Sequence, residues 1–419
     1  MDIPKLIREK LYPFIKFAMF CVLAISLFSI LNSIFGLANQ GWRDFYKLPR
    51  QSIDILFMGN SHGFAAFQPK IINDLLPVNS YMVSASGENI VVTYYELKEA
   101  LKYQTPKVII LETFSLELTA LKTPEFIFEF YDSQPMSVNK FKAMGGFFTL
   151  DHLTSIFPAL RMRLDWNNPQ EFVDMLDKSD LFKKHIDANL GYIPNTRMIS
   201  ESNYLNANTL PDPPEDTSLT RNYEYFQKMV DLCNKHNIRL ILTTAPVLKI
   251  SGEQHKFYMP VDIPSIADQY DLDYFRINPS TFTKIDYGDY AHLNAIGSIS
   301  ASIILAEDIA KTLGLSIDQQ WLDYYNNLDL KDYSLTNQGE EFTLELIPSS
   351  TSRSLEYKFM MISDDLQTVY SETSWQQNNS FHFYPPQEGC VSVDTAIRNP
   401  EGDYSLNAII KIDSIGCKR

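Results

Sequence analysis

Residues 17–37 read FAMFCVLAISLFSILNSIFGL, twenty-one positions without a charge. At about 1.5 Å rise per residue, a helix of that length spans about 30 Å, the thickness of a bilayer's hydrocarbon core. Lys5, Arg8, Lys10 and Lys16 precede it, so the positive-inside rule places the amino terminus in the cytoplasm and everything after about residue 39 outside. Gly36-Leu37-Ala38 would suit the rival reading, a cleaved signal peptide. The apolar stretch, however, exceeds the roughly 7 to 15 residues of a signal sequence. A retained anchor is therefore the expectation for residues 1–40.

From residue 53 the pattern changes to short apolar runs alternating with amphipathic stretches. Residues 53–58 form a compact apolar run closed by Gly59, and 78–83 and 108–111 read as two further strands. A short helix is expected over 69–76, and Val92, Tyr95, Leu97 and Leu101 carry helical spacing over 89–103. After a lapse at about 113–219, rich in aromatics, Met and Pro, the alternation resumes. It gives a helix over 220–236, a strand over 238–243, a helix and short strand around 263–275, and a helix over 294–313. Tyr223, Phe226, Met229 and Val230 form the buried stripe of the first of these helices. Such alternation predicts an α/β fold, a parallel sheet with helices on both faces, over 41–335. The lapse reads as a helical insertion, a lid or an interaction surface.

Beyond residue 336 the period drops to two. Phe342-Thr-Leu-Glu-Leu, Leu355-Glu-Tyr-Lys-Phe-Met-Met, Ser380-Phe-His-Phe-Tyr, Val391-Ser-Val and Leu406-Asn-Ala-Ile-Ile-Lys-Ile are separated by turn residues. This predicts a C-terminal antiparallel β-sandwich domain over 336–419, with a structural or partner-binding role.

Composition narrows the chemistry. Of 419 residues, 45% are hydrophobic and 21% charged, which suits a packed globular body. Lys+Arg 36 against Asp+Glu 51 leaves a net charge of −15, which repels phosphate backbones and argues against a nucleic-acid partner. Seven histidines occur without an H-E-x-x-H, and four cysteines without a C-x-x-C, so neither a metal site nor a cofactor is expected. Outside the cytoplasm Cys390 and Cys417 are available to pair, while Cys21 lies in the membrane segment and Cys233 on a core helix.

Three segments at the carboxyl ends of expected parallel strands carry candidate chemistry, because ligands of open α/β sheets collect there. Gly59-Asn60-Ser61-His62-Gly63 comes after the first strand and exposes a serine on a tight turn. Ser84-Ala85-Ser86-Gly87-Glu88 comes after the second, where a glycine lets its amide approach an oxyanion. Asp289-Tyr290-Ala291-His292-Leu293-Asn294 precedes the last helix. Its Asp-x-x-His spacing lets the carboxylate orient one imidazole nitrogen while the other faces Ser61. Plainer readings stand beside these: Ser61 as a helix N-cap, Gly87 as a turn former, Asn294 as an N-cap. Asn60 and His62 are candidates to line the site, His62 equally for a backbone bond. Glu112 is either a buried carboxylate beside the site or a solvated loop acid. Arg161, Arg163 and Trp166 would grip an anionic or sugar substrate, or form a solvated helix face with one packed indole.

Phe57-Met58-Gly59-Asn60-Ser61-His62 together with Asp289-Tyr290-Ala291-His292-Leu293-Asn294 resembles the SGNH (GDSL-like) hydrolase superfamily, over about 53–313 without the insertion. Within it the chain looks most like membrane-anchored members such as the alginate O-acetylation proteins and the D-alanyl transfer proteins of lipoteichoic acid. The resemblance implies an SGNH-like (flavodoxin-like) sheet, with Ser61 as nucleophile, His292 as base and Asp289 as orienter. It also implies the Ser61 and Gly87 amides as oxyanion donors. It departs in one place: the family's third block supplies an asparagine after the third strand, and here that strand runs into Leu111-Glu112-Thr113-Phe114-Ser115. Thr113, Ser115 or an insertion residue stands in, or the chain is a slow catalyst, since one donor is worth about 100 to 1,000-fold. The function implied by the resemblance is that of an extracytoplasmic serine esterase or O-acyltransferase acting on a cell-surface polysaccharide or other acylated glycan. The acyl group would be acetyl, and a membrane-bound O-acyltransferase the partner. The alternative is a catalytically idle SGNH-fold protein that binds glycan or scaffolds the envelope.

Overall fold

The computed structural model describes residues 3–35, 40–117, 128, 132–135, 137–144, 189–199, 219–248, 261–328, 330–338, 341–348, 355–363, 368–385, 391–398 and 405–411. Helix α1 (Ile3–Phe35) contains an apolar window, Tyr12–Asn32, with a mean hydropathy of 2.4. Its large side chains, Phe14, Phe17, Phe20, Leu23 and Ile25 among them, are exposed. A core helix would bury them, so this one is long and apolar enough to cross a membrane once. The six-residue helix α2 (Gln40–Phe45) instead docks on the body, with Trp42 and Phe45 buried and the Tyr81 hydroxyl donating to the Gly41 carbonyl at 2.7 Å.

The body is built on five parallel strands, β1 (Ile55–Gly59), β2 (Ser80–Ser84), β3 (Val108–Glu112), β4 (Arg239–Thr244) and β5 (Asp273–Arg276), in the order β2-β1-β3-β4-β5. Every position of the first three is buried, as expected of strands covered on both faces. Successive side chains divide between two cores. Ile55, Phe57, Ile110 and Ile241 pack against helices α4 (Pro69–Leu75) and α10 (Ala295–Leu313). Leu56, Met58, Ile109, Leu111 and Leu242 pack against α2, α5 (Ile90–Ala100), α8 (Leu219–Lys235) and α9 (Ile263–Tyr270). The short helix α3 (Ser61–Ala66) comes after β1, and α6 (Phe114–Glu117) and α7 (Val138–Met144) lie within the expected insertion.

The end of that insertion runs beside β2, whose Met82 amide donates to the Leu190 carbonyl at 3.0 Å. Gly191 (φ +90°) comes so close that a Cβ there would sit 2.0 Å from the Met82 oxygen. This segment covers an otherwise open sheet edge.

After helix α11 (Gln319–Asn326) come seven antiparallel strands in two sheets. One contains β6 (Leu330–Gln338), β7 (Glu341–Pro348) and β10 (Ser380–Phe383); the other, β8 (Glu356–Ser363), β9 (Val369–Glu372), β11 (Val391–Arg398) and β12 (Ser405–Lys411). Phe359 of one sheet stacks on Phe381 of the other, with ring centroids 5.4 Å apart, which gives the expected sandwich. Its inner face is continuous, through Tyr325, Leu328 and Leu330, with the core under α10. The residue 335/336 boundary drawn from sequence falls inside β6. Neither β6 nor β9 is expected from periodicity, because β6 reads LKDYSLTNQ and β9 is an exposed edge strand. Cys21 and Cys233 are free, and Cys390 and Cys417 lie outside the described residues.

Gly59 ends β1 at φ +142°, where an added Cβ would lie 2.8 Å from the Glu112 Cβ. Gly314, at φ +66° after α10, has nothing within 4 Å. Gly59→Ala is expected to destabilise the detergent-solubilised chain by about 3 kcal/mol, strain plus overlap. Gly314→Ala should cost about 1 kcal/mol, from backbone conformation alone. Denaturant midpoints of the two variants check the ranking, and equal losses would contradict it.

Candidate active site

In the strand order the chain leaves β1 for β2 on one side and returns to β3 on the other, opening a crevice above the carboxyl ends of these strands. The first residue to enter it is Ser61, at the start of α3. The N-cap of this helix is Asn60, whose Oδ1 accepts from the His62 amide at 3.0 Å. With capping done by its neighbour, the Ser61 hydroxyl faces His292 instead.

His292 is presented by a loop closed by a β-bridge between Tyr287 and Leu293 and by the Gly288 amide donating to the His292 carbonyl at 3.0 Å. A side chain at Gly288 would meet the Asn195 amide group, which would have to move aside. Within it, Asp289 Oδ1 accepts from the amides of Ala291 and His292 at 2.7 and 2.9 Å. Both Asp289 carboxylate oxygens lie 3.0 Å from His292 Nδ1. The opposite nitrogen, Nε2, lies 2.8 Å from Ser61 Oγ, although the two residues are 231 positions apart in the chain. Burial pushes the Asp289 carboxyl up, but the bonded imidazole and two amides outweigh it and hold it below the usual carboxylate range. An ionised Asp289 keeps the proton on Nδ1 and leaves Nε2 as the acceptor for the serine hydroxyl. Asn294 is the N-cap of α10, accepting from the Ile296 and Gly297 amides at 2.9 and 3.1 Å.

Gly87 lies in the turn after β2 at φ +64°, half-exposed together with Ser86 between the buried Ala85 and Glu88. Two bonds pin this turn: the Ala85 amide donates to Glu88 Oε2 at 3.1 Å, and Asn60 Nδ2 donates to the Glu88 carbonyl at 3.4 Å. Asn60 thus ties the serine turn to the glycine turn. No capping role for Asn60 was expected, though an asparagine just before a helix is its signature.

Several expected substrate-lining residues are used differently. Asn60 is fully buried and engaged in the two bonds above. His62 is buried with its ring centroid 3.9 Å from that of Phe114 and 4.8 Å from that of His292, so it packs behind the base. Burial, then the charge of His292, hold the His62 imidazole well below its ordinary value, which keeps it neutral. Glu112 is buried under the serine turn, and its two oxygens accept from the amides of Phe114 and Ala245 at 3.1 and 3.3 Å. It straps the ends of β3 and β4 together, and burial pushes its carboxyl up to about 8 against the pull of those two donors. Thr113 is a poor stand-in for the missing asparagine: its amide donates to the Thr243 carbonyl at 2.9 Å and its hydroxyl pairs with that of Thr244 at 2.6 Å. Ser115 is buried, donating to the Glu112 carbonyl at 3.0 Å. Arg161, Arg163 and Trp166 lie outside the described residues. Among the described residues no group of three or more His, Cys, Asp or Glu is placed to hold a metal ion.

No family model and no curated protein matches the chain. Among solved structures it is similar to a candidate acylhydrolase from Bacteroides fragilis, at TM-score 0.30 and 12% identity over 64% of this chain and 93% of that one. It is also similar to the spore cortex lytic enzyme SleM of Clostridium perfringens, at TM-score 0.16 and 11% identity over 48% of this chain and 65% of that one. A third likeness is to the capsular polysaccharide assembling protein CapF of Staphylococcus aureus, at TM-score 0.17 and 7% identity over 86% and 100% of the two chains. Similarities this loose have no bearing on the chemistry, which rests on the side-chain geometry.

Proposed function

We propose that this chain is a serine acyl-ester enzyme, anchored by α1 with its body outside the cytoplasm, that moves an acyl group to or from hydroxyls of a cell-surface carbohydrate polymer. The observation that carries the reading is the hydrogen-bonded series Ser61 Oγ, His292 Nε2, His292 Nδ1 and Asp289, with links of 2.8 and 3.0 Å. A serine is a weak nucleophile until a base takes its proton, and an imidazole is an effective base when a carboxylate fixes its tautomer.

Ser61 Oγ attacks the ester carbonyl carbon while its proton passes to Nε2. The amides of Ser61 and Gly87 stabilise the resulting oxyanion. The intermediate collapses, the leaving alcohol takes the proton from Nε2, and the acyl group remains on Ser61. An acceptor hydroxyl, or water, then gives its proton to Nε2 and attacks the acyl carbon, and Ser61 Oγ leaves with that proton. Transfer is favoured over hydrolysis because a membrane helix and an appended sandwich suit a large polymer acceptor and a donor working at the membrane. By the SGNH resemblance the acyl group is acetyl and the partner a membrane-bound O-acyltransferase.

With the amide and hydroxyl of Thr113 engaged on β4, the oxyanion site rests, among the described residues, on two amides, and turnover is slow unless an insertion residue completes it. The same observation favours a second reading, an idle fold that binds glycan. The two separate cleanly. Incubated with an activated acetyl ester in detergent, the chain should gain one acetyl group on Ser61, detected by intact and peptide mass spectrometry. Ser61→Ala should gain none. A wild-type chain that stays unlabelled across the neutral and alkaline range would favour the binder. Asp289→Asn should keep the fold but lower kcat by about 10⁴-fold, because the wrong imidazole tautomer then faces Ser61. A loss below about tenfold would remove Asp289 from this role.

A further inference from the structure

Behind the Gly87 turn lies a buried acidic cluster that the chemistry above does not use. Glu88, at the end of the turn, is 2% exposed, and Glu96, on α5, is 0% exposed. Their carboxyl groups face each other closely enough to interact. Ionised carboxylates only accept, so the two can hydrogen-bond to each other only while one of them carries a proton. The outer oxygens are anchored: Glu88 Oε2 accepts from the Ala85 amide at 3.1 Å, and Glu96 Oε1 accepts from Trp42 Nε1 at 2.8 Å. The inner oxygens, Glu88 Oε1 and Glu96 Oε2, are buried without a hydrogen-bond partner among the described residues. A fully ionised pair would leave two charges facing each other without water, at a cost of several kcal/mol.

Among the described residues, the surrounding groups supply no compensating cation. On α5 the Thr93 hydroxyl faces Glu88, and Glu99 is paired with Lys102. Just after α2 the Tyr46 phenol is buried near Glu96, and on α2 Asp44 is paired with Lys47. On α7 Lys140 donates to the Gln134 carbonyl at 3.0 Å, and Asn139 to Glu99 at 3.1 Å. Burial pushes both Glu88 and Glu96 up from the ordinary carboxyl range, and the Glu96 charge pushes Glu88 further.

We propose that Glu88 and Glu96 are positioning residues that share one proton, and that this bond, braced by the Trp42 indole from the helix after the membrane span, holds the Gly87 amide in place to receive an oxyanion. The catalytic part rests on the acyl-Ser61 reading; the shared proton and its hold on the turn do not. Proton binding sets the sign of the pH response. The folded state retains a proton that the unfolded chain releases in the ordinary carboxyl range. The pair's contribution is therefore complete at acidic pH and lost as pH rises through the raised folded value.

Two measurements on the full chain in detergent test this. The first is hydrogen exchange of the amides of residues 85–88, corrected for intrinsic rate. In the wild type, protection should fall by about tenfold per pH unit once the shared proton is lost on the alkaline side. Glu88→Gln, whose neutral amide still donates to Glu96 and accepts from Ala85, should remove that fall, and Glu88→Ala should expose the turn at every pH. Identical protection profiles in wild type and Glu88→Gln would overturn the proposal. The second is the pH profile of kcat for the activated acetyl ester. The wild type should show an alkaline decline that Glu88→Gln lacks, and Glu88→Ala should lower kcat by about 10 to 100-fold with KM within about twofold. An inactive wild type with the expected exchange pattern would overturn the acyl-enzyme reading and leave the pair standing. An active enzyme whose kcat and exchange profiles match those of Glu88→Gln would do the reverse.

Discussion

The closeness of two strand ends governs this molecule. β1 and β3 lie side by side in the middle of the sheet, and where they finish the Glu112 side chain occupies the space in which a β-carbon of residue 59 would stand. Only a glycine fits, and only at a backbone angle closed to other residues. The chain then turns sharply, which makes Asn60 the cap of the next helix and points the Ser61 hydroxyl across the crevice. Glu112 draws the ends of β3 and β4 together from beneath, so one buried carboxyl fixes the floor of the site.

The imidazole arrives from the far end of the domain by a different device. The Tyr287–Leu293 bridge closes a loop small enough that two of its amides bond the Asp289 carboxylate that also orients the ring. Little of this geometry depends on long flexible side chains. Serine, histidine and aspartate each have few rotatable bonds, and each is held by the backbone of its own turn. The acid end of the series is half-open to water, while the neighbouring His62 ring is sealed beneath Phe114 and stays neutral. A proton gained by His292 therefore has no second imidazole competing for it.

Sequence reading reached the sheet because parallel strands covered on both faces must be nearly continuous apolar runs, and Ile55–Gly59 and Val108–Glu112 are. Ser61, Asp289 and His292 were legible because their short-range spacing already brings the right groups to strand ends. The Asn60 cap was legible in principle, from its position one residue before a helix. Strand β6 was not, since polar residues (Lys331, Asp332, Ser334, Asn337) fall on both of its faces and break the alternation, and the sandwich supplies the burial that its own pattern lacks. Glu88 and Glu96 were the least legible: a glutamate near a helix or strand end normally reads as solvated, and nothing local reveals that these two are sealed inside, whereas for Glu112 its place at a strand end left burial as one of two readings. Their burial is a product of tertiary packing, as is the engagement of Thr113 on β4.

The docking of α2 carries a consequence for where this body can work. Helix α1 ends at Phe35 and α2 begins at Gln40, so the leash between them reaches at most about 18 Å even when fully stretched. With α1 in a bilayer, a body fastened at Trp42 and Phe45 patrols a layer little deeper than its own radius. Whatever reacts at the crevice must then come down to that layer, and meets it in two dimensions more than in three.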